Sequence, residues 1–288
     1  MIYKLLAVNI DGTLLQSNGR LTKATKEAIA YVQSKGVAVV LVTSRNIKAC
    51  KKVATVWKNS PMVVAVNGGY VGQSIDKPIF VKRISEQATD DLVSFLENIN
   101  CQFTLNFEDK HVANRVDLPE NFLGKAVMYI NEQKLFSQLF VDSVSEYIQT
   151  NASTPLSIDI LFASQSDKQN TVKEMNRLFM DLSIMDKENN RLLITPPGVN
   201  KWGGLKYLAD YYQISKNEIV AIGDDDSDLE MIVNAGVGVA MGNAEEEIKR
   251  RANWVARTND DEGVAYTVRE VFRKQYQLDF LEKMNLLR

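Results

Sequence analysis

The sequence has one histidine, two cysteines and almost no net charge. Its 288 residues include 34 Lys+Arg and 36 Asp+Glu, which give a formal charge of -2. Because His111 is the only histidine, Ser-His-Asp, Cys-His and multi-histidine metal sites are excluded unless this one residue serves. Cys50 and Cys101 form no CxxC motif, and so few cysteines favour a reduced, cytoplasmic protein over a secreted one.

Long hydrophobic runs and basic patches are also missing. No segment approaches the ~20 continuous apolar residues of a membrane span. The short apolar run from Leu5 to Val8 is soon followed by Asp11 and by no small-residue cleavage site, so it is not a signal peptide. The longest basic cluster, 249–251, follows three glutamates after a single isoleucine and indicates a solvated, salt-bridged helix surface. We therefore expect neither a membrane nor a nucleic acid as partner.

What the sequence does contain is an alternation of short apolar strands and amphipathic helices at both ends of the chain. This alternation predicts an α/β fold with a doubly wound, mostly parallel sheet. The first helix is predicted to begin after Thr22, a favourable N-cap, and to end at Gly36. The predicted core strands are 4–9, 37–42, 62–66, 218–222, 237–241 and 254–256.

The middle of the chain has a different pattern, which predicts an inserted α+β domain. The length suggests about two domains. We expect a discontinuous core domain of 1–83 and 195–288 and an inserted domain of 84–194, with the core pattern resuming at Leu192. Within the insertion the pattern predicts helices at 85–98, 135–149 and 168–181 and strands at 101–107 and 126–130. The C-terminal apolar positions from 276 to 287 are predicted to pack into the core.

Polar residues cluster directly after the predicted strands, where ligands bind in open parallel sheets. They are the segments 9–14 (NIDGTL), 43–45 (TSR) and 223–228 (GDDDSD), with Lys201 opening a later helix. Carboxylates and carbonyls suit a hard cation, whereas a hydroxyl and a lysine suit a phosphate. Each segment alone is also compatible with an ordinary turn, cap or surface loop. A calcium loop starting at Asp224 fails on spacing, because its sixth residue is Leu229 and its twelfth is Ala235.

A dinucleotide-binding fold is a further alternative, through Gly236, Gly238 and Gly242. The third glycine is one residue late, and the glycines surround a strand when they should follow one, so this alternative is disfavoured.

In order and spacing, these segments resemble the haloacid dehalogenase (HAD) superfamily. The similarity is to its Cof-type phosphatases with a large inserted cap, type IIB-like, and covers essentially the whole chain. It extends to the segments 67–69 (NGG), 198–201 (GVNK), 239–244 (VAMGNA) and 263–265 (GVA). The resemblance implies a Rossmann-like core with an α+β cap that selects the substrate, Mg²⁺ as cofactor, and a small phosphorylated metabolite as substrate.

The resemblance also implies a role for each motif residue. Asn9 falls on the position of the nucleophilic Asp, and Asp11 matches the general acid/base. Thr43, Ser44 and Lys201 match the residues that hold the phosphoryl oxygens. The implied metal ligands are Asn9, Asp11 through a main-chain carbonyl of the first motif, Asp224 and Asp228.

Four positions depart from the family pattern: Asn9, Ser44, Leu193 and Ser227. Asn9 matters most, because a neutral amide oxygen is a poor nucleophile, although it could still offer its carbonyl oxygen to Mg²⁺. One hypothesis is therefore a phosphohydrolase scaffold with attenuated or lost turnover. The other is a non-catalytic sensor or interaction protein that binds a phosphorylated ligand or Mg²⁺. Within the inserted domain no motif marks substrate contacts, and His111 and Arg115 are not favoured over other residues there.

Overall fold

The structure is a computed structural model and describes residues 2–54, 57, 60–108, 110–115, 138–187 and 189–277. The chain divides into two compact units. The first consists of Met1–Arg45, Cys50–Phe80 and Asn200–Arg288, and the second of Asn46–Ala49 and Val81–Val199. The chain thus leaves the first unit and returns to it, as a discontinuous domain does.

The first unit is built on an eight-stranded sheet in the order β14-β13-β12-β1-β2-β3-β4-β5. From β14 to β3 neighbouring strands pair in parallel, and β4 runs antiparallel to β3. The central strands consist of buried apolar residues, as expected for a parallel sheet covered on both faces. The strands are β1 Leu5–Asn9, β2 Ala38–Val42, β3 Met62–Ala65, β4 Tyr70–Ser74, β5 Lys77–Val81, β12 Ile219–Gly223, β13 Val237–Ala240 and β14 Trp254–Val255.

Two helices of the first unit begin where a capping side chain accepts a hydrogen bond from one of their first N–H groups. Thr22 accepts a hydrogen bond from the N–H of Thr25 and caps α1, and Asn200 accepts one from Gly203 and caps α6. Gly36, with φ 81°, follows α1 in the left-handed region that favours glycine. The helices are α1 Lys23–Ser34, α2 Ile47–Ala54, α6 Lys201–Tyr211, α7 Leu229–Asn234, α8 Glu246–Arg251 and α9 Gly263–Phe272.

The second unit has its own six-stranded sheet, in the order β10-β11-β9-β6-β7-β8. Its strands are β6 Cys101–Asn106, β7 His111–Asn114, β8 Gln138–Val141, β9 Ser157–Phe162, β10 Ser183–Lys187 and β11 Arg191–Thr195. Serine side chains cap its helices, which are α3 Glu86–Glu97, α4 Val144–Asn151 and α5 Gln165–Leu178. A separate apolar core that includes Phe103, Phe162 and Leu92 holds this unit together.

The structure corrects two of the sequence predictions. The helix predicted at 135–149 is wrong for Gln138–Val141, which form β8 and pair in parallel with β7; a helix begins only at Val144. The core pattern does not resume at Leu192, because Arg191–Thr195 form β11 and pair with β9 and β10. The predicted strand at 126–130 and most of the C-terminal segment lie outside the described residues.

The predicted alternation in the first unit and the helix at 85–98 agree closely with the observed elements. Among the residues that the structure describes, no helix is both long and apolar enough to cross a bilayer.

Candidate active site

Three neighbouring strands bring the predicted site residues to one edge of the first sheet. Strand β1 pairs in parallel with both β12 and β2, so the carboxyl ends of all three lie side by side. Asn9 is the last residue of β1, Thr43 follows β2, and Asp224 follows β12. This register brings the three groups together at the edge where open parallel sheets bind ligands.

The turn after β1 needs a glycine. Gly12 has φ 65°, and a Cβ at this position would lie 1.9 Å from Oδ2 of Asp224, far inside contact distance. The carbonyl oxygen of Gly12 accepts a hydrogen bond of 2.9 Å from Nδ2 of Asn243. Glycine therefore allows the turn to pack directly against the Asp224 carboxylate, and Asn243 fixes its main chain.

The buried side chain of Asn9 makes four polar contacts that distinguish its two terminal atoms. Its Oδ1 accepts hydrogen bonds from the N–H of Ile10 at 2.8 Å and from Nζ of Lys201 at 3.4 Å. Its Nδ2 donates to the main-chain oxygen of Asp11 at 2.9 Å and to Oδ1 of Asp224 at 3.0 Å. Both atoms meet partners of the opposite kind, so these contacts define the orientation of the amide.

Lys201 and Asp228 form a buried ion pair under the site. Nζ of Lys201 lies 2.7 Å from Oδ1 of Asp228 and 3.5 Å from Oδ1 of Asp225. Oδ2 of Asp228 accepts hydrogen bonds from the N–H groups of Asp224 and Asp225. Burial alone would lower the pKa of Lys201, but the neighbouring carboxylates, above all Asp228, raise it above its usual value. Lys201 is therefore a cation at neutral pH.

Burial raises the pKa of two of the carboxyl groups that follow β12, those of Asp224 and Asp228. For Asp228 desolvation outweighs the attraction of Lys201 and brings the pKa to about 6. For Asp224 desolvation again dominates, while hydrogen bonds donated by Thr13 and Asn9 oppose the rise in pKa. The hydroxyl of Thr13 donates to Oδ1 of Asp224 at 2.6 Å. These two acids are thus held by specific donors within the protein.

The exposed carboxylate of Asp11 is engaged by Arg45. Nε of Arg45 donates to Oδ2 of Asp11 at 2.6 Å, and Nη2 donates to Oδ1, so the contact is two-pronged. No role was predicted for Arg45, although it lies in the polar segment that follows β2. Its position directly after Thr43 and Ser44 is the sequence feature that could have marked it as a residue of the site. Both carboxylate oxygens of Asp11 are thus paired with Arg45 in this structure.

The remaining sequence candidates occupy different surroundings. Thr43 is fully buried and its hydroxyl accepts a hydrogen bond from the N–H of Arg45, whereas Ser44 is exposed. His111 and Arg115 belong to the second unit. His111 is buried there, with Nδ1 donating to Oδ1 of Asn106 at 2.7 Å, and Arg115 forms an exposed ion pair with Asp142.

The side chains predicted to bind Mg²⁺ do not fit the ion in this arrangement. Mg²⁺ requires oxygen ligands at about 2.0–2.1 Å, but Asn9 directs N–H groups, and not its oxygen, toward Asp224 and the Asp11 carbonyl. Asp228 is committed to Lys201 and main-chain donors, and the Asp11 carboxylate to Arg45. No group of three or more His, Cys, Asp or Glu side chains able to hold a metal occurs in the described part of the chain. The expectation that Asn9 offers Mg²⁺ its carbonyl oxygen is not met here.

Comparison with known families identifies the family of this chain. The family model for haloacid dehalogenase-like hydrolases matches residues 6–268, which include both segments of the first unit that carry the site and the whole second unit. This chain belongs to the haloacid dehalogenase-like hydrolases. The family resemblance predicted from the motifs is thereby confirmed. The α/β fold predicted from the alternation of strands and helices is confirmed as well.

Individual relatives extend this finding. The chain is 38% identical to the stress response protein YhaX of Bacillus subtilis over 100% of both chains. It is 26% identical to the 5-amino-6-(5-phospho-D-ribitylamino)uracil phosphatase YcsE of Bacillus subtilis, over 92% of this chain and 94% of that protein. A solved haloacid dehalogenase-like hydrolase from B. subtilis has the same fold, with a TM-score of 0.80 at 23% identity over 93% of this chain and 99% of the other.

Proposed function

We propose that this chain is a phosphohydrolase scaffold that binds a small phosphorylated metabolite and whose turnover is attenuated or lost at Asn9. Membership of the hydrolase family and the similarity to a phosphatase of a phosphorylated ribityl compound support the substrate class. The free, buried cysteines are compatible with the cytoplasmic setting expected from the sequence. The observation that carries the loss of turnover is the hydrogen bonding of Asn9.

Asn9 is unsuited to attack phosphorus for two reasons. The amide is neutral, so its oxygen is a far weaker nucleophile than a carboxylate. That oxygen also accepts hydrogen bonds from the N–H of Ile10 and from Lys201, which further reduce its electron density. A covalent aspartyl-phosphate route is therefore closed, and any residual turnover would need direct attack by water.

The other motif residues keep the chemistry needed to bind a phosphoryl group. In the proposal the hydroxyl groups of Thr43 and Ser44 and the ammonium of Lys201 hold phosphoryl oxygens. Asp11 would serve as the proton-transferring group once a ligand draws Arg45 away from it. Residues 84–194 would form the cap that selects the remainder of the ligand, and 1–83 with 195–288 the core.

A second candidate function is that of a non-catalytic sensor or interaction protein that recognises the same phosphorylated ligand. Two observations favour it: the fully hydrogen-bonded Asn9, and the 38% identity with a protein named for stress response and not for a reaction. Both candidate functions require binding of the phosphorylated ligand, but only the phosphohydrolase would also hydrolyse it.

The test is a phosphatase assay of the native chain beside Asn9→Asp against a panel of phosphorylated sugars, polyols and nucleotides, each with and without Mg²⁺. Asn259→Asp is the matched control, because Asn259 is also buried and also donates to a main-chain oxygen, that of Leu15 at 3.0 Å. Turnover that appears only in Asn9→Asp supports the proposal. Native turnover equal to that of Asn9→Asp would refute the claim that Asn9 disables the site.

A ligand-binding assay separates the two candidate functions. If the native chain binds a compound from the panel that Asn9→Asp hydrolyses, without hydrolysing it itself, the sensor function is favoured. Slow native hydrolysis of that compound favours the attenuated enzyme.

A further inference from the structure

The amide nitrogen of Asn9 is placed where a ligand oxygen of a divalent cation would be expected. It lies 2.9 Å from the main-chain oxygen of Asp11 and 3.0 Å from Oδ1 of Asp224. Adjacent ligands of an octahedral Mg²⁺ with bonds of about 2.0–2.1 Å are separated by about 2.9 Å. An oxygen in place of this nitrogen would therefore have a spacing to both neighbours that suits Mg²⁺. The nitrogen instead donates one hydrogen bond to the Asp11 oxygen and one to the Asp224 oxygen.

We infer that the carboxamide of Asn9 replaces a divalent cation as the link between the turn after β1 and Asp224, so that this site binds no Mg²⁺. The cross-link that a cation would make between two oxygens is made here by two N–H groups. The inference concerns the site of the proposed function, but it rests on these hydrogen bonds and does not depend on any turnover.

Rotation of the amide does not restore a metal site. Turning Oδ1 toward Asp11 and Asp224 would place Nδ2 against the N–H of Ile10 and the ammonium of Lys201. Donors would then face donors in a buried position, because Ile10 and Lys201 are almost fully inaccessible to water. The rotated amide would also bring no negative charge to the cation.

The neighbouring acids do not compensate for the missing carboxylate. Both oxygens of Asp228 have partners within the protein, and Oδ1 of Asp224 accepts from Thr13 as well as from Asn9. The carboxylate of Asp11 is held by Arg45. A cation entering the site would therefore have to displace several hydrogen bonds in addition to those of Asn9.

Asn9→Asp tests the inference directly, because it exchanges the NH₂ group for an oxygen of nearly the same size. In the variant this oxygen, the Asp11 carbonyl and Asp224 would form a ligand set for Mg²⁺. Loss of an outer-shell partner alone commonly weakens metal binding about 10–100-fold, so the loss of a direct anionic ligand should weaken it at least about 100-fold. We expect Asn9→Asp to bind Mg²⁺ by that factor more tightly than the native chain.

The measurement is calorimetric titration of Mg²⁺ into the native chain, Asn9→Asp and Asn259→Asp, with no phosphorylated compound present. The expected result is heat from Asn9→Asp alone. A native affinity within about tenfold of the variant's would overturn the inference, given the factor expected for a direct ligand. Absence of binding to Asn9→Asp would also overturn it, because the amide would then not be what excludes the ion. Since no turnover is measured, failure here is distinct from failure of the proposed function.

A second measurement follows the native chain itself and uses a variant only to assign its resonances. The side-chain NH₂ resonances of ¹⁵N-labelled Asn9, assigned through their loss in Asn9→Gln or Asn9→Asp, are followed as Mn²⁺ is added. We expect them to keep their intensity relative to the NH₂ resonances of Asn259. Selective broadening of the Asn9 signals would place the paramagnetic ion in the site and contradict the inference.

Discussion

The exchange of Asn9 for aspartate should make the stability of the protein depend on Mg²⁺. Without the ion, the variant loses the two hydrogen bonds donated by Nδ2, each worth about 1 kcal/mol net. Its new carboxylate also lies about 4 Å from the centre of the Asp224 charge, where repulsion reaches about 4 kcal/mol at an effective dielectric constant near 20. The Lys201 ammonium, 3.4 Å from Oδ1, and uptake of a proton offset most of this repulsion. We therefore expect a loss of about 2–3 kcal/mol in the free energy of unfolding, mainly from the two lost hydrogen bonds.

Mg²⁺ should restore most of the free energy of unfolding that Asn9→Asp loses. A ligand at 100 times its dissociation constant raises the free energy of unfolding by about 2.7 kcal/mol when it binds only the folded state. The assay is urea denaturation of the native chain, Asn9→Asp and Asn259→Asp, each in EDTA and in excess MgCl₂. Recovery should occur in Asn9→Asp alone. The reasoning is refuted if Asn9→Asp is as stable as the native chain in EDTA, or if Mg²⁺ stabilises the native chain to the same degree.

Three further predictions concern the buried groups around this site and the two cores. Lys201→Met leaves the carboxylate of Asp228 buried without its cation and should cost about 3–5 kcal/mol in urea denaturation; a loss below about 1 kcal/mol, the value of an exposed pair, would contradict the account. Gly12→Ala introduces a Cβ at φ 65° that clashes with Asp224, so the unfolding free energy should fall by at least about 1 kcal/mol for the backbone conformation alone; an unchanged midpoint would show that the turn can relax. Burial raises the pKa of both Cys50 and Cys101 to about 12, so neither thiol should react with a disulfide reagent at neutral pH in the folded protein. Both should react in urea, and rapid reaction of either one in the folded state would contradict the burial.

The parts of the fold that the sequence predicts are those with strong local signals. Strand β1 and the helix after Thr22 were placed within about a residue, because continuous apolar runs and capping side chains act over short distances. The meeting of Asn9, Thr43 and Asp224 was also predictable, since parallel strands share their carboxyl edge.

The parts that the sequence does not predict depend on non-local pairing. Leu139 and Phe140 fit an apolar helix pattern as well as a strand, and only the pairing of Gln138–Val141 with β7 decides between them. Likewise, the orientation of the Asn9 amide follows from donors and acceptors on three separate segments of the chain. The pairing of Arg45 with Asp11 joins residues 34 positions apart and has no local signature.

The most direct test of the central claim, that Asn9 has replaced the cation of this site, is anomalous scattering from crystals soaked in Mn²⁺. We expect no anomalous peak between residue 9, the Asp11 carbonyl and Asp224 in the native protein, and a peak at that point in Asn9→Asp. A peak at that point in native crystals, with Oδ1 of Asn9 turned toward it, would contradict the account.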